Sequence, residues 1–135
     1  MIKRLVTWLR RNEAGQAMVE MALVLPILLI LIGGIVDFGW LFYNQLSLTN
    51  AAREGARYAA IHHSEAANWK QNAEFIMDNT YVGAGSATAT VSDAVNSQIC
   101  ATMEADVPIL TGVASTLLGK KVITMTGSCI MRLET

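Results

Sequence analysis

Residues 15–36 read Gly15-Gln16-Ala17-Met18-Val19-Glu20-Met21-Ala22-Leu23-Val24-Leu25-Pro26-Ile27-Leu28-Leu29-Ile30-Leu31-Ile32-Gly33-Gly34-Ile35-Val36. One carboxylate, Glu20, stands at the start of a run otherwise suited to lipid. From Ala14 to Val36, about 23 residues of helix extend about 34 Å, which crosses a hydrocarbon core with some tilt. A charge inside such a segment costs roughly 2.5–3.5 kcal/mol and usually has a partner. Pro26 removes one backbone donor and can kink the helix. Gly33 and Gly34 weaken it or admit a close neighbour. The rest of the chain is read as what delivers, presents or uses this segment.

On its N-terminal side lies MIKRLVTWLRRNEAG, residues 1–15, with Lys3, Arg4, Arg10 and Arg11 against Glu13 alone. A secretory signal peptide runs from a charged region through an apolar core to a small-residue cleavage site. Here the small residue, Gly15, comes before the apolar core. A cut between Gly15 and Gln16 would remove the charged part and leave the apolar helix on the mature protein, the order of a prepilin leader. The alternative is an uncleaved signal-anchor in which Gly15 merely ends the polar arm. The positive flank predicts an N-terminus in the cytoplasm and a C-terminal part outside.

On the C-terminal side, Phe38, Trp40, Phe42 and Tyr43 stand where an outer aromatic belt belongs. Asp37 reads as an acid seated at that interface, in reach of water. Residues 44–62, NQLSLTNAAREGARYAAIH, continue the helix. Ala51, Gly55 and Ala59 repeat every four residues, widened by Ala52, Ala56 and Ala60 into a small-residue face. Such a face admits close helix–helix packing, with another subunit or with this chain's own domain.

The whole chain has 135 residues, room for one modest domain plus an anchor. Its formal net charge of −1 hides an asymmetry, because residues 16–135 hold six basic and ten acidic groups. The N-terminal cations cluster beside a membrane segment and form no patch on a domain, so nucleic acid is not an expected partner.

Beyond residue 63 the patterns shorten. Residues 64–80 predict an amphipathic helix, with Ser64 as N-cap, Glu65 in the first turn, and Ala66, Trp69, Ala73, Ile76 and Met77 at helical spacing. Gly83-x-Gly85 predicts a turn, being too short for a phosphate-binding loop. Residues 87–91 predict a strand, followed by a helix capped at Ser92 or Asp93 and running to about Ala105. A helical series from Ile109 to Leu118 starts after Pro108 and is closed by Gly119. Gly127-Ser128 reads as a bulge or a two-residue hairpin turn; the bulge is the favoured reading, giving one strand from Val122 to about Leu133. The expected fold class is α+β: a leader (1–15), a long transmembrane and extended helix (16–63), and a small outer domain of helices packed on a short antiparallel sheet (64–135).

Cys100 and Cys129 are the two cysteines. In an oxidising compartment they predict a disulfide tying the helix after Ser92 to the last strand, the alternative being two buried free thiols. They lack metal-site spacing. His62 and His63 are adjacent and point about 100° apart on a helix, not the i, i+4 arrangement that grips one metal. No metal, no cofactor and no catalytic constellation is expected, and a hydrolase using His63 and Glu65 is the weakest reading.

The ordered set Gly15-x4-Glu20, Ala22-Leu23-Val24-Leu25-Pro26, Asp37-Phe38-Gly39 and Leu48-Thr49-Asn50-Ala51-Ala52-Arg53-Glu54-Gly55-Ala56-Arg57-Tyr58-Ala59 resembles the TadE-like family. These are minor pseudopilins of the Flp (Tad) branch of type IV pili. The resemblance is close over residues 10–60 and weaker to Met131-Arg132-Leu133-Glu134. It implies a structural subunit, not an enzyme, in the bacterial inner membrane and, on assembly, in the pilus. It implies as partners a prepilin peptidase, other pilins or pseudopilins, the inner-membrane Tad assembly platform and membrane lipid. It implies cleavage at Gly15–Gln16 and an assembly role for Glu20. The alternative is a permanently anchored single-pass protein whose outer domain binds a ligand or partner.

Overall fold

A computed structural model describes residues 13–64, 67–92 and 96–133. The chain is α+β. Helix α1 (Glu13–His62) is followed by α2 (Trp69–Thr80), β1 (Ala87–Val91), β2 (Gln98–Pro108), α3 (Gly112–Leu118) and β3 (Val122–Arg132). The three strands form one antiparallel sheet in the order β1-β2-β3. The outer part of α1, together with α2, covers one face of that sheet, and the core lies between them.

α1 continues without a break through Pro26 and the glycine pair to His62. Its buried positions begin at Asp37 and recur at Asn44, Leu48, Ala51, Ala52, Gly55, Ala56 and Ala59, at spacings that keep one stripe on the domain. Opposite it, Ile99, Ala101, Met103, Ala105 and Val107 of β2 are buried. This strict alternation is strand periodicity, and it overturns the helix expected from Ser92 to about Ala105. Asn96 and Ser97 have φ of 53° and 60°, left-handed backbone, directly before β2, which pairs antiparallel with β1. Asp93 lies outside the described residues.

Three further expectations change. The helix expected from Ser64 starts at Trp69, with Asn68 at its N-cap; Glu65 and Ala66 lie outside the described residues. The helical series after Pro108 is confined to Gly112–Leu118, with Gly119 at φ 65° as its left-handed C-cap. The bulge at Gly127-Ser128 is absent, because β3 pairs with β2 residue for residue from Val122↔Pro108 to Arg132↔Gln98. Gly127 has another cause. A Cβ there would stand 2.6 Å from the Leu48 carbonyl carbon and 2.8 Å from Thr49 N, so β3 crosses α1 backbone to backbone. Glu134, in the C-terminal finish, lies outside the described residues.

The disulfide is also corrected. Cys100 and Cys129 are free thiols. Cys129 pairs with Ala101 and packs against the core, whereas Cys100 pairs with Ile130. Neighbouring residues of a strand point to opposite faces, so this one-residue offset puts the two thiols on opposite sides of the sheet. The expectation failed because it placed Cys100 on a helix, where no pleat fixes its face.

Candidate functional site

Among the described residues, one helix, α1, is long and apolar enough to cross a membrane. Between Gln16 and Val36 its side chains are exposed: Leu23, Ile27, Leu31 and Ile35 on one side most of all, and Leu25, Leu28 and Ile32 on the others less so, yet none is buried. A helix that is apolar all round requires a nonaqueous surrounding, whether lipid or other helices. This is the segment that carries the candidate function.

Glu20 is its one charge between Gln16 and Val36. It is exposed, and its Oε1 accepts a hydrogen bond from Gln16 Nε2 at 3.5 Å, one turn earlier. Gly15 and Gln16 lie near the start of the described part of α1, while residues 1–12 of the leader lie outside it. The structure therefore brings Gln16 and Glu20 together on one helical face.

Ala51 and Ala59 are fully buried, and Gly55 is buried between them. Their neighbour is this chain's own α2. A Cβ on Gly55 would lie 2.3 Å from Met77 Cγ and 3.4 Å from the Ala73 carbonyl. His62 stacks on Tyr58 with ring centroids 4.2 Å apart, and His63 meets Trp69 edge-on at 6.4 Å. Both rings are thus engaged by aromatic neighbours.

Two polar residues that the sequence reading undervalued join the exposed segment to the outer domain. Asp37, expected to face water at the interface, is 2% exposed. Its Oδ1 accepts the Thr111 N–H at 2.7 Å, and its Oδ2 accepts the Thr111 hydroxyl and, at 3.4 Å, the Ala114 N–H. A carboxylate from α1 therefore caps the first turn of α3, satisfying donors that a helix start leaves open. Asn44 is fully buried. Its Nδ2 donates to the Trp40 carbonyl at 2.8 Å, and its Oδ1 accepts the Ala84 N–H at 2.7 Å. The Tyr81 hydroxyl donates to the Ala84 carbonyl at 2.8 Å, closing the turn that Asn44 holds. Burial, then the nearby Tyr43, pushes the Tyr81 phenol above its ordinary value, which keeps that donor proton in place. No local signal marks the long-range partner of either residue: Ala84 lies 40 positions from Asn44, and Thr111 lies 74 from Asp37.

Ser47 Oγ accepts the Val82 N–H at 3.0 Å, Gln45 donates to the Thr126 carbonyl at 2.9 Å, and Trp40 Nε1 donates to the Pro108 carbonyl at 3.1 Å. The domain is thus fastened to α1 at successive levels, starting where the apolar run ends. Such an arrangement transmits the position of the exposed helix to the sheet without a linker.

Residues 15–57 match the family model described as TadE-like protein. The chain therefore carries a TadE-like segment comprising the exposed half of α1 and most of its packed half. Comparison with curated proteins and with solved structures finds no match.

Proposed function

We propose that this chain, with its TadE-like segment, is a membrane-inserted, leader-processed minor pilin or pseudopilin that takes part in assembling a Flp/Tad type IV pilus. The observation that carries the reading is the exposed apolar half of α1, with Glu20 one turn from Gln16 and a family match beginning at Gly15. Before assembly the segment lies in the inner membrane with the leader in the cytoplasm and the outer domain on the other side. A prepilin peptidase removes residues 1–15, and the small Gly15 fits a narrow protease subsite. The new α-amine of Gln16 then stands one helical turn from Glu20.

In lipid an ionised carboxylate seeks a close cation. The helix N-terminus favours the charge of Glu20, and the α-amine of the same or an incoming subunit completes the pair. Assembly by the Tad platform moves the exposed helix from lipid into contact with other subunits. Nothing in this sequence of events requires a cofactor or a catalytic group of this chain.

Mass measurement of the mature N-terminus tests processing. The expected chain starts at Gln16, and Gly15→Leu retains the leader with insertion unchanged. An intact leader on the parent chain supports instead a permanently anchored single-pass protein. Glu20→Ala tests assembly, with normal insertion and cleavage but loss of pilus or complex incorporation as the expected result. Parent-level incorporation of Glu20→Ala would remove Glu20 from the mechanism.

A further inference from the structure

We propose that residues 109–121, the connection between β2 and β3, form a second membrane contact that seats in the headgroup layer beside α1 and favours anionic lipid. The inference rests on the reading of residues 15–36 as a membrane span. It starts from depth. With Gly15 at one edge of the hydrocarbon, Asp37 lies about 33 Å along the helix. A hydrocarbon core is about 30 Å thick, and the headgroup layers extend the bilayer to about 40–45 Å. Asp37 thus falls within the far headgroup layer. Thr111 is bonded to it directly and shares its depth. The Trp40 indole, bonded to the Pro108 carbonyl, stands at the level where indoles collect at membrane surfaces.

Chemistry at the same level points to lipid. Phe38 is 71% exposed, Leu110 60% and Val122 45%. Phe38 and Leu110 flank the Asp37–Thr111 contact in sequence, and Val122, at the start of β3, pairs with Pro108. Gly112–Leu118 contains no charged residue, and Lys120 and Lys121 follow it directly, both exposed. Neither lysine makes an ion pair among the described residues. On the adjoining strands, Asp106 is engaged by the Thr124 hydroxyl at 2.7 Å. Apolar side chains beside a lysine pair, at headgroup depth, are what an anionic bilayer surface accepts. The loop is also held there, because Asp37 fixes the start of α3 to the spanning helix.

A lysine near an anionic surface contributes about 1 kcal/mol, or about fivefold in the ratio of docked to lifted loop. The experiment uses the full chain carrying Cys100→Ser and Cys129→Ser. An environment-sensitive fluorophore is attached after Leu110→Cys, or after Val122→Cys if the first variant does not fold. The protein is reconstituted in phosphatidylcholine vesicles with and without phosphatidylglycerol, containing lipid with a nitroxide at headgroup depth. Parallel labels follow Ile32→Cys in the span and Thr90→Cys on the outer sheet face.

The expected result is blue-shifted, quenched emission from position 110, greater with phosphatidylglycerol, and no quenching at position 90. Lys120→Gln with Lys121→Gln should lower the docked-to-lifted ratio at least about fivefold in the anionic vesicles. A membrane-buried label at 32 with an unquenched label at 110 overturns the second contact and leaves the anchor standing. A label at 32 that remains in water removes the membrane reading itself. A blue shift at 110 without nitroxide quenching assigns the surface to a neighbouring protein copy and overturns the proposal. Quenching at 110 that ignores both phosphatidylglycerol and the lysine substitutions overturns the preference for anionic lipid.

Discussion

Along α1, residues from Leu23 to Val36 are open on nearly every side, whereas from Asp37 to Ala59 one stripe is closed off. The first half needs only a surrounding that tolerates Leu, Ile and Val. The second half is built the other way round. Its closed stripe holds Asp37, Asn44, Leu48 and a series of alanines with Gly55, while Phe38 and Phe42 point outward. Bulky apolar residues therefore mark the helix where it lacks a domain partner. Apart from Leu48, small and polar residues mark it where it has one. Close approach explains this inversion, since a sheet strand and a second helix both come within contact of the α1 backbone or its small face.

The largest expected effect comes from obstructing that approach. In Gly127→Val the new Cβ would meet the backbone of Leu48 and Thr49, which no rotamer change relieves. We expect a loss of about 3 kcal/mol, the upper end of ordinary overpacking, and a melting temperature lower by at least about 10 °C for a domain of this size. Thermal unfolding of the full chain in detergent, followed by tryptophan fluorescence, measures it. Gly34→Val in the open half has nothing within 4 Å of its Cβ and leaves that transition unchanged. Equal effects at the two sites would erase the distinction between the halves.

Asn44→Leu comes next. It keeps the volume roughly constant but leaves the Ala84 N–H without its acceptor, at a cost of about 2 kcal/mol. Amide exchange should quicken around residues 81–85 before it does in β2. Uniform quickening would show that Asn44 supports the whole domain and not this turn.

The legibility of the chain follows the same division. The apolar run, the continued helix, β1 over 87–91 and the α+β class were readable because each depends on local composition or periodicity. β2 was misread because Ala and Met at its inward positions carry weak strand preference, and a serine and an aspartate before them resemble a helix cap. Gly127 was readable as a special position but not as a crossing, since the obstructing atoms belong to residues 48 and 49. The burial of Asp37 was unreadable for the same reason. An acid after an apolar run normally reaches water, and only the fold brings Thr111 to it. The Gly15–Glu20 segment carries a signal that lies in residue order rather than in tertiary contact, and the family match begins there.

Asp37→Ala has a smaller and more local effect. Removing the cap from α3 should cost about 1–2 kcal/mol, concentrated in the amides of Thr111 and Ala114. Hydrogen exchange resolves those amides separately. Asp37→Asn keeps one carbonyl oxygen for the Thr111 N–H and should fall between the parent and the alanine variant. An Asn variant no better than Ala would mean that the charge, and not the acceptor geometry, holds the loop.

The smallest effect is expected of Gly55→Ala, and its sign depends on which of two terms wins. Alanine in place of glycine favours a helix by about 0.8–1.0 kcal/mol. Against this, the added methyl would sit 2.3 Å from Met77 Cγ and 2.4 Å from its sulfur. Met77 is unbranched and adaptable, but it is fully buried and its Cγ lies near the root of the side chain, so yielding costs about as much as the helix gains. The Ala73 carbonyl, at 3.4 Å, is at the edge of ordinary contact and need not move. The two terms nearly cancel, so Gly55→Ala should change stability by no more than about 0.5 kcal/mol. Gly55→Leu adds bulk that Met77 cannot vacate and should cost about 1–3 kcal/mol by overpacking. The two variants together separate a contact with a movable side chain from the backbone crossing at Gly127. If Gly55→Ala proves as damaging as Gly127→Val, Met77 is held rigidly against α1. The α1–α2 contact would then be as unyielding as the contact between α1 and β3.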